Sequence, residues 1–103
     1  MQFGRWYPLA EAREHAPQGE GMVQLRTATG LHDYPRGKSA MVHYAHTADV
    51  RAAALALAER LAGRDLLCRH LIEIDAATDL AAFCAKLRDE FVRRFGAPPH
   101  LEP

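Results

Sequence analysis

The sequence predicts an α+β domain: a small three-stranded sheet packed against helices, in β-β-α-β-α order, preceded by a short N-terminal helix. Three observations carry that expectation. Val50, Ala54, Leu57 and Leu61 recur at the spacing of a single helical face. Residues 21–27 and 66–74 read with the two-residue period of strands. The helix and strand signals interleave in the order helix, strand, strand, helix, strand, helix, and one sheet with helices against it buries every apolar face they create.

Each element has its own signals. Tyr7 to Ala16 reads as a short helix that begins at Pro8 and stops at Pro17. Gln18, Gly19 and Glu20 make a turn. In the strand Gly21–Thr27, Val23 and Leu25 share one face, and Met22, Gln24 and Arg26 the other. Residues 30–39 are dense in turn formers and read as a loop. A second strand covers 40–45 and pairs with the first as a hairpin with a long tip. Thr47 or Asp49 caps the next helix, and Gly63 is placed as its left-handed stop. The third strand, about 66–74, lines up Leu66, Cys68, His70, Ile72 and Ile74. The last helix starts near Thr78 or Asp79, presents Leu80, Phe83, Cys84, Leu87, Phe91 and Phe95, and ends at Gly96 with Pro98 and Pro99. Residues 1–103 make a single domain, with 1–19 as an N-terminal segment and 20–99 as the core.

Composition bounds the function. A chain of 103 residues, 49% hydrophobic and 25% charged, has the make-up of a globular domain. Thirteen basic residues balance thirteen acidic ones. That excludes a polycation that coats nucleic acid or lipid by bulk charge, and leaves room for a local basic patch. No apolar run approaches membrane-spanning length, and Met1 to Trp6 lacks the apolar stretch of a signal peptide. Two cysteines build no disulfide framework. The expectation is a soluble, cytoplasmic protein of bacterial type with reduced thiols and no membrane association.

Several chemistries fall away on inspection. Gly37-Lys38-Ser39 resembles the end of a phosphate-binding loop, but His32 stands where that loop needs glycine, and a strand follows where the phosphate needs a helix N-terminus. Nucleoside triphosphate binding is therefore not expected. His43 and His46 fall on opposite faces of a strand, which does not suit a shared metal, and Cys68, His70 and Cys84 fall on apolar faces, so core lining is the expected role of these last three. Ser39 is the sole serine and lacks a nucleophile-elbow setting. The basic set is mostly arginine. Arg26, Arg36 and Lys38 lie on the hairpin and Arg51 opens the next helix; with His43 and His46 they make either one basic face suited to phosphate or a solvated face partly neutralised by Asp33 and Asp49. Phe3, Trp6 and Tyr7 form an aromatic cluster of the kind that anchors a protein partner or a second copy of the chain, but Trp6 is expected rather to cover the chain's own sheet or core.

The segments Gly21–Arg26 and Gly37–Arg51, with Glu90-Phe91 and Arg94-Phe95-Gly96-Ala97-Pro98-Pro99, resemble the GIY-YIG nuclease superfamily in element order from Gly21 to Pro99. In that family the first strand carries Gly-Ile-Tyr and the second Tyr-Ile-Gly. The following helix presents a catalytic arginine, and a later helix a metal-binding glutamate. Here Val23 stands at the first tyrosine, His43 at the second with Tyr44 beside it, and Ala45 at the motif glycine. Ala53 stands at the arginine, while Arg51 lies about 200° away round the helix. Glu90 matches the glutamate.

Phosphodiester hydrolysis needs an activated water, a divalent cation and a charge-stabilising group. Alanine and valine supply none of these. The resemblance therefore implies a catalytically degenerate binding or assembly module with no cofactor. It would contact nucleic acid through Arg26, Arg36, Lys38 and His46. The alternative it allows is a divergent endonuclease using His43 as base with Tyr44, Arg51 and Glu90, the last holding Mg²⁺. A protein-binding subunit is the third reading.

Overall fold

Five consecutive residues, Gly21 to Leu25, are buried, which a strand achieves only when both its faces and both its edges are covered. The computed structural model, which describes residues 1–101, shows how. In chain order its elements are β1 (Gln2–Phe3), β2 (Tyr7–Pro8), a 3₁₀ turn (Leu9–Glu11), α1 (Ala12–His15), β3 (Gly21–Thr27), β4 (His32–Tyr34), β5 (Gly37–Ser39), β6 (Met41–Thr47), α2 (Val50–Arg60), β7 (Leu66–Glu73) and α3 (Leu80–Phe95). β3 lies between β6 and β7, and the far edge of β7 takes β1 and β2. Every pairing is antiparallel. The molecule is thus α+β, with its sheet sandwiched between two helical layers.

The alternation within β3 sends its side chains to both layers. Val23 and Leu25 join Val42, Val50, Ala54, Leu57, Leu66 and Cys68 beneath α1 and α2. Met22 joins Leu71, Leu80 and Cys84 beneath α3. The face assignment expected for β3 therefore holds. The helix stripes hold as well: Val50, Ala54 and Leu57 are buried in α2, and Leu80, Cys84 and Phe91 in α3.

The ends of the helices follow their capping residues. The Asp49 carboxylate accepts from the backbone N–H of Arg51 at 3.1 Å and of Ala52 at 3.5 Å, and Thr47 Oγ1 accepts from the Asp49 N–H. Asp49→Ala is expected to cost about 1 kcal/mol, read as a lower urea midpoint at unchanged slope. Gly96 closes α3 with φ +85°. Gly21 has a steric reason: a Cβ there would lie 2.6 Å from Val50 Cγ2, so the start of α2 rests directly on the strand.

Four sequence expectations are corrected. The main sheet has five strands, not three, because two-residue strands interrupted by Gly4–Trp6 carry no periodicity to read. Tyr7–Pro8 belongs to the sheet, and the expected helix shrinks to a 3₁₀ turn and four α residues, with Ala16 extended before Pro17. The loop 30–39 contains the hairpin β4–β5, turning at Pro35-Arg36, and its Tyr34 is buried. In β7, Leu66, Cys68 and His70 are buried, but Ile72 is 61% exposed and Ile74 lies beyond the strand. The strand there has outrun the layer that would cover them.

A polar network ties the N-terminal segment to β7. The Tyr7 hydroxyl lies 3.1 Å from His70 Nδ1, the Cys68 thiol donates to the same hydroxyl at 3.5 Å, and His15 stacks on the Tyr7 ring. Burial pushes the Tyr7 hydroxyl and the Cys68 thiol up and His70 down, so all three are neutral near pH 7. A histidine whose folded-state pKa is depressed contributes full stability above its ordinary value of about 6.5, and this is lost as pH falls below it. The thermal midpoint is expected to drop on going from about pH 7.5 to about pH 5, and to drop less in His70→Gln.

Candidate functional site

Of the four positions that the resemblance makes functional, Val23, His43 and Ala53 lie on the α2 side of the sheet and Glu90 does not, and Val23 is core. Val23 is 0% exposed and Ala53 packs against the same apolar cluster. His43 is the register partner of Leu25 and so faces this layer. Burial, then the charges of Arg60 and Arg88, push its pKa down. A neutral half-buried imidazole is left on this side, and the positions of the superfamily's first tyrosine and arginine hold valine and alanine, which offer nothing to stabilise a phosphoryl group.

The other candidate residues lie elsewhere. Tyr44 is the register partner of Gln24 and turns to the α3 side, where it meets Phe91 edge-on at 5.8 Å. Glu90 is exposed on α3 and lines a cleft of about 410 Å³ with Lys38, Met41, Tyr44, Phe91 and Arg94. Arg51, on α2, reaches the Ala16 carbonyl with Nη1 at 3.5 Å. The sheet thus separates His43 and Arg51 from Tyr44 and Glu90. The Mg²⁺ implied for the active alternative finds a poor donor set. Glu90 is the one carboxylate lining its cleft, and it shares that cleft with two cations.

The basic hairpin residues are also dispersed. Arg36 donates from Nη2 to the Val92 carbonyl at 3.0 Å, and its backbone N–H donates to the Phe95 carbonyl, so it finishes the C-terminus of α3. His46 Nε2 lies 2.7 Å from a Glu20 carboxylate oxygen. Lys38 lies 3.6 Å from Asp33, with a side chain 67% exposed. Of these residues Arg26 stands on the α3 side of the sheet, half-buried, opposite Met41 and Leu67.

What the sequence did not reveal is what Arg26 stands next to. Two cross-strand rows run over the α3 side: Arg69–Gln24–Tyr44, and Leu67–Arg26–Met41. The Arg69 guanidinium carbon lies 4.3 Å from the Phe3 ring centre and 4.5 Å from that of Trp6, and its Nε donates to Gln24 Oε1 at 2.7 Å. The Arg26 guanidinium lies 5.4 Å from the Trp6 ring centre. The N-terminal aromatic cluster is therefore used within the chain: Tyr7 is buried, while Phe3 and Trp6 hold Arg69. One signal for this was present. Arg69 is the only charged residue between Leu66 and Ile72, and the two-residue period puts it on the face opposite Cys68 and His70.

Metal-ligating groupings are sparse. Cys68 and Cys84 are free and buried in clusters on opposite faces, which is the core lining expected of them. His32 meets His100 at 3.4 Å rather than His43 or His46. Glu11, Glu14 and His15 approach within 4.8 Å of one another, all exposed, an arrangement common in acidic surface turns. Compared with protein-family models, with curated proteins and with solved structures, the chain finds no match in any of the three.

Proposed function

We propose that this chain is a GIY-YIG-like binding module without nuclease activity, and that nucleic acid is its ligand, engaged from the α3 side of the sheet. The observation that carries the first part is that Val23 is fully buried in the α2-side core and that Ala53, half-buried, packs against the same core. The positions where the superfamily places its proton-handling tyrosine and phosphate-binding arginine serve packing here. Restoring a tyrosine at Val23 would disrupt the core that holds α2 on the sheet. The ligand follows from chemistry: the α3 side gathers Arg26, Arg69, Lys38 and Arg94 with half-buried aromatic rings, the combination that contacts phosphate and stacks bases.

The test is incubation of the purified chain with labelled DNA and RNA, single- and double-stranded, in Mg²⁺ or Mn²⁺. Salt-dependent binding with uncut substrate is expected. Metal-dependent cutting abolished by His43→Ala or Glu90→Ala would overturn the reading in favour of the divergent nuclease.

A further inference from the structure

We infer that Arg26 and Arg69, beside Trp6, form a phosphodiester-binding site for single-stranded nucleic acid. The inference rests on the reading of the chain as a nucleic-acid binder; of the basic hairpin residues that the sequence pointed to it keeps Arg26, and it adds Arg69 from β7.

Neither guanidinium on this face, of Arg26 or of Arg69, is neutralised by an acidic partner among the described residues, in a chain that carries thirteen acidic residues for thirteen basic ones. The side-chain hydrogen bonds they make are from Nε: Arg69 to Gln24 Oε1, and Arg26 to its neighbour's carbonyl, Thr27 O, at 3.3 Å. The terminal nitrogens of both forks are left to an outside acceptor. Two guanidinium groups drawn to one indole repel each other, and a bound anion relieves that repulsion.

The geometry is also prepared in advance. Phe3 and Trp6 hold the Arg69 plane, so little side-chain freedom remains to be lost on binding. A fixed planar fork matches phosphate bidentately, which an ammonium does not do.

The surroundings favour a polymer over a lone anion. Met41, opposite Arg26, also lines the cleft that holds Arg94 and Lys38 together with Glu90, so cationic side chains recur from β7 across β3 to the far side of β6, interrupted there by Glu90 and by Asp33 beside Lys38. Trp6 and Tyr44 are half-buried rings on the same face. An unpaired strand can lay its bases against such rings and the guanidinium planes, whereas a duplex keeps its bases stacked inside.

Trp6 is the single tryptophan and reports on the site directly. The experiment titrates the full chain with oligothymidylate, inorganic phosphate and polyglutamate, following Trp6 fluorescence and the anisotropy of labelled oligonucleotide. Oligothymidylate is expected to bind and to perturb Trp6. Arg26→Gln and Arg69→Gln should each weaken binding about tenfold or more, as loss of a charge-assisted contact does. Each should lower the salt slope by about one. Lys86→Gln, on the exposed side of α3, should change neither. Arg69→Lys keeps the charge without the fork and gives an intermediate loss; it and Arg26→Gln serve if Arg69→Gln does not fold.

Oligothymidylate binding that neither arginine variant weakens would overturn this site while leaving the nucleic-acid reading standing. Polyglutamate binding as tightly as oligothymidylate would replace the ligand by an acidic protein. Phosphate binding without oligonucleotide binding would reduce the site to a small-anion site. No binding of any nucleic acid would overturn the inference and the function together.

Discussion

Val23→Tyr, which places tyrosine where the resemblance to the nuclease superfamily asks for it, is expected to destabilise the fold by about 3–5 kcal/mol and to produce no nuclease. Val23 is fully buried in the middle of the central strand, between Ala45 on β6 and His70 on β7. A phenol ring there must displace neighbours in the layer under α2, and its hydroxyl enters an apolar cluster. Overpacking and an unpartnered hydroxyl add in the same direction. Domains of this size have total stabilities of roughly 5–15 kcal/mol, so the variant sits near the edge of folding. Urea denaturation measures the loss, and a wild-type midpoint would mean that the space at position 23 is not filled. Ala53→Arg should cost less, because Ala53 is only half-buried and a long side chain there can reach water.

Phe91→Ala is expected to cost about 3–5 kcal/mol and to loosen the β4–β5 hairpin before the sheet. Phe91 is buried and its ring meets Tyr34 at 5.0 Å, Phe95 at 4.5 Å and Tyr44 at 5.8 Å. Those partners come from β4, α3 and β6, so one ring joins the hairpin, the last helix and the edge strand. The hairpin is also attached through ring contacts of Tyr34 with Phe95 and His100 and of His32 with His100, and through hydrogen bonds. Among them are the Tyr34 hydroxyl donating to the Met41 carbonyl at 2.6 Å and the two Arg36 bonds to the end of α3. Hydrogen exchange in the variant should therefore rise first across His32–Ser39 and only later in β3. Uniform acceleration over β3 and the hairpin alike would contradict this division.

The sequence revealed most where a long period governs. The stripes of α2 and α3, the alternation of β3 and the caps at Asp49, Asp79 and Gly96 are local signals, and the structure follows them. It revealed less where tertiary pairing decides. β1 and β2 are two residues each and exist because β7 has a free edge to offer them. Tyr34 is buried because Phe91 and Phe95 arrive from the other end of the chain. The site shows the same split. That Arg26 shares a face with Gln24 was readable from the two-residue period. That Arg69, more than forty positions downstream, lands in the same row depends on β7 pairing with β3. The expected basic hairpin dispersed because each member met a nearer partner: Arg36 a helix end, His46 Glu20 and Lys38 Asp33.

The division of labour between the two faces is tested most directly by mapping where an oligonucleotide touches the protein. In a ¹H–¹⁵N correlation spectrum of the labelled chain titrated with oligothymidylate, perturbations should gather at the Trp6 indole N–H and at the amides of Arg26, Met41 and Arg69. Those of Ala52 to Leu57 in α2 should stay where they are. Shifts centred instead on His43, Arg51 and Ala53 would mean that the α2 side still receives the substrate, and would contradict the account.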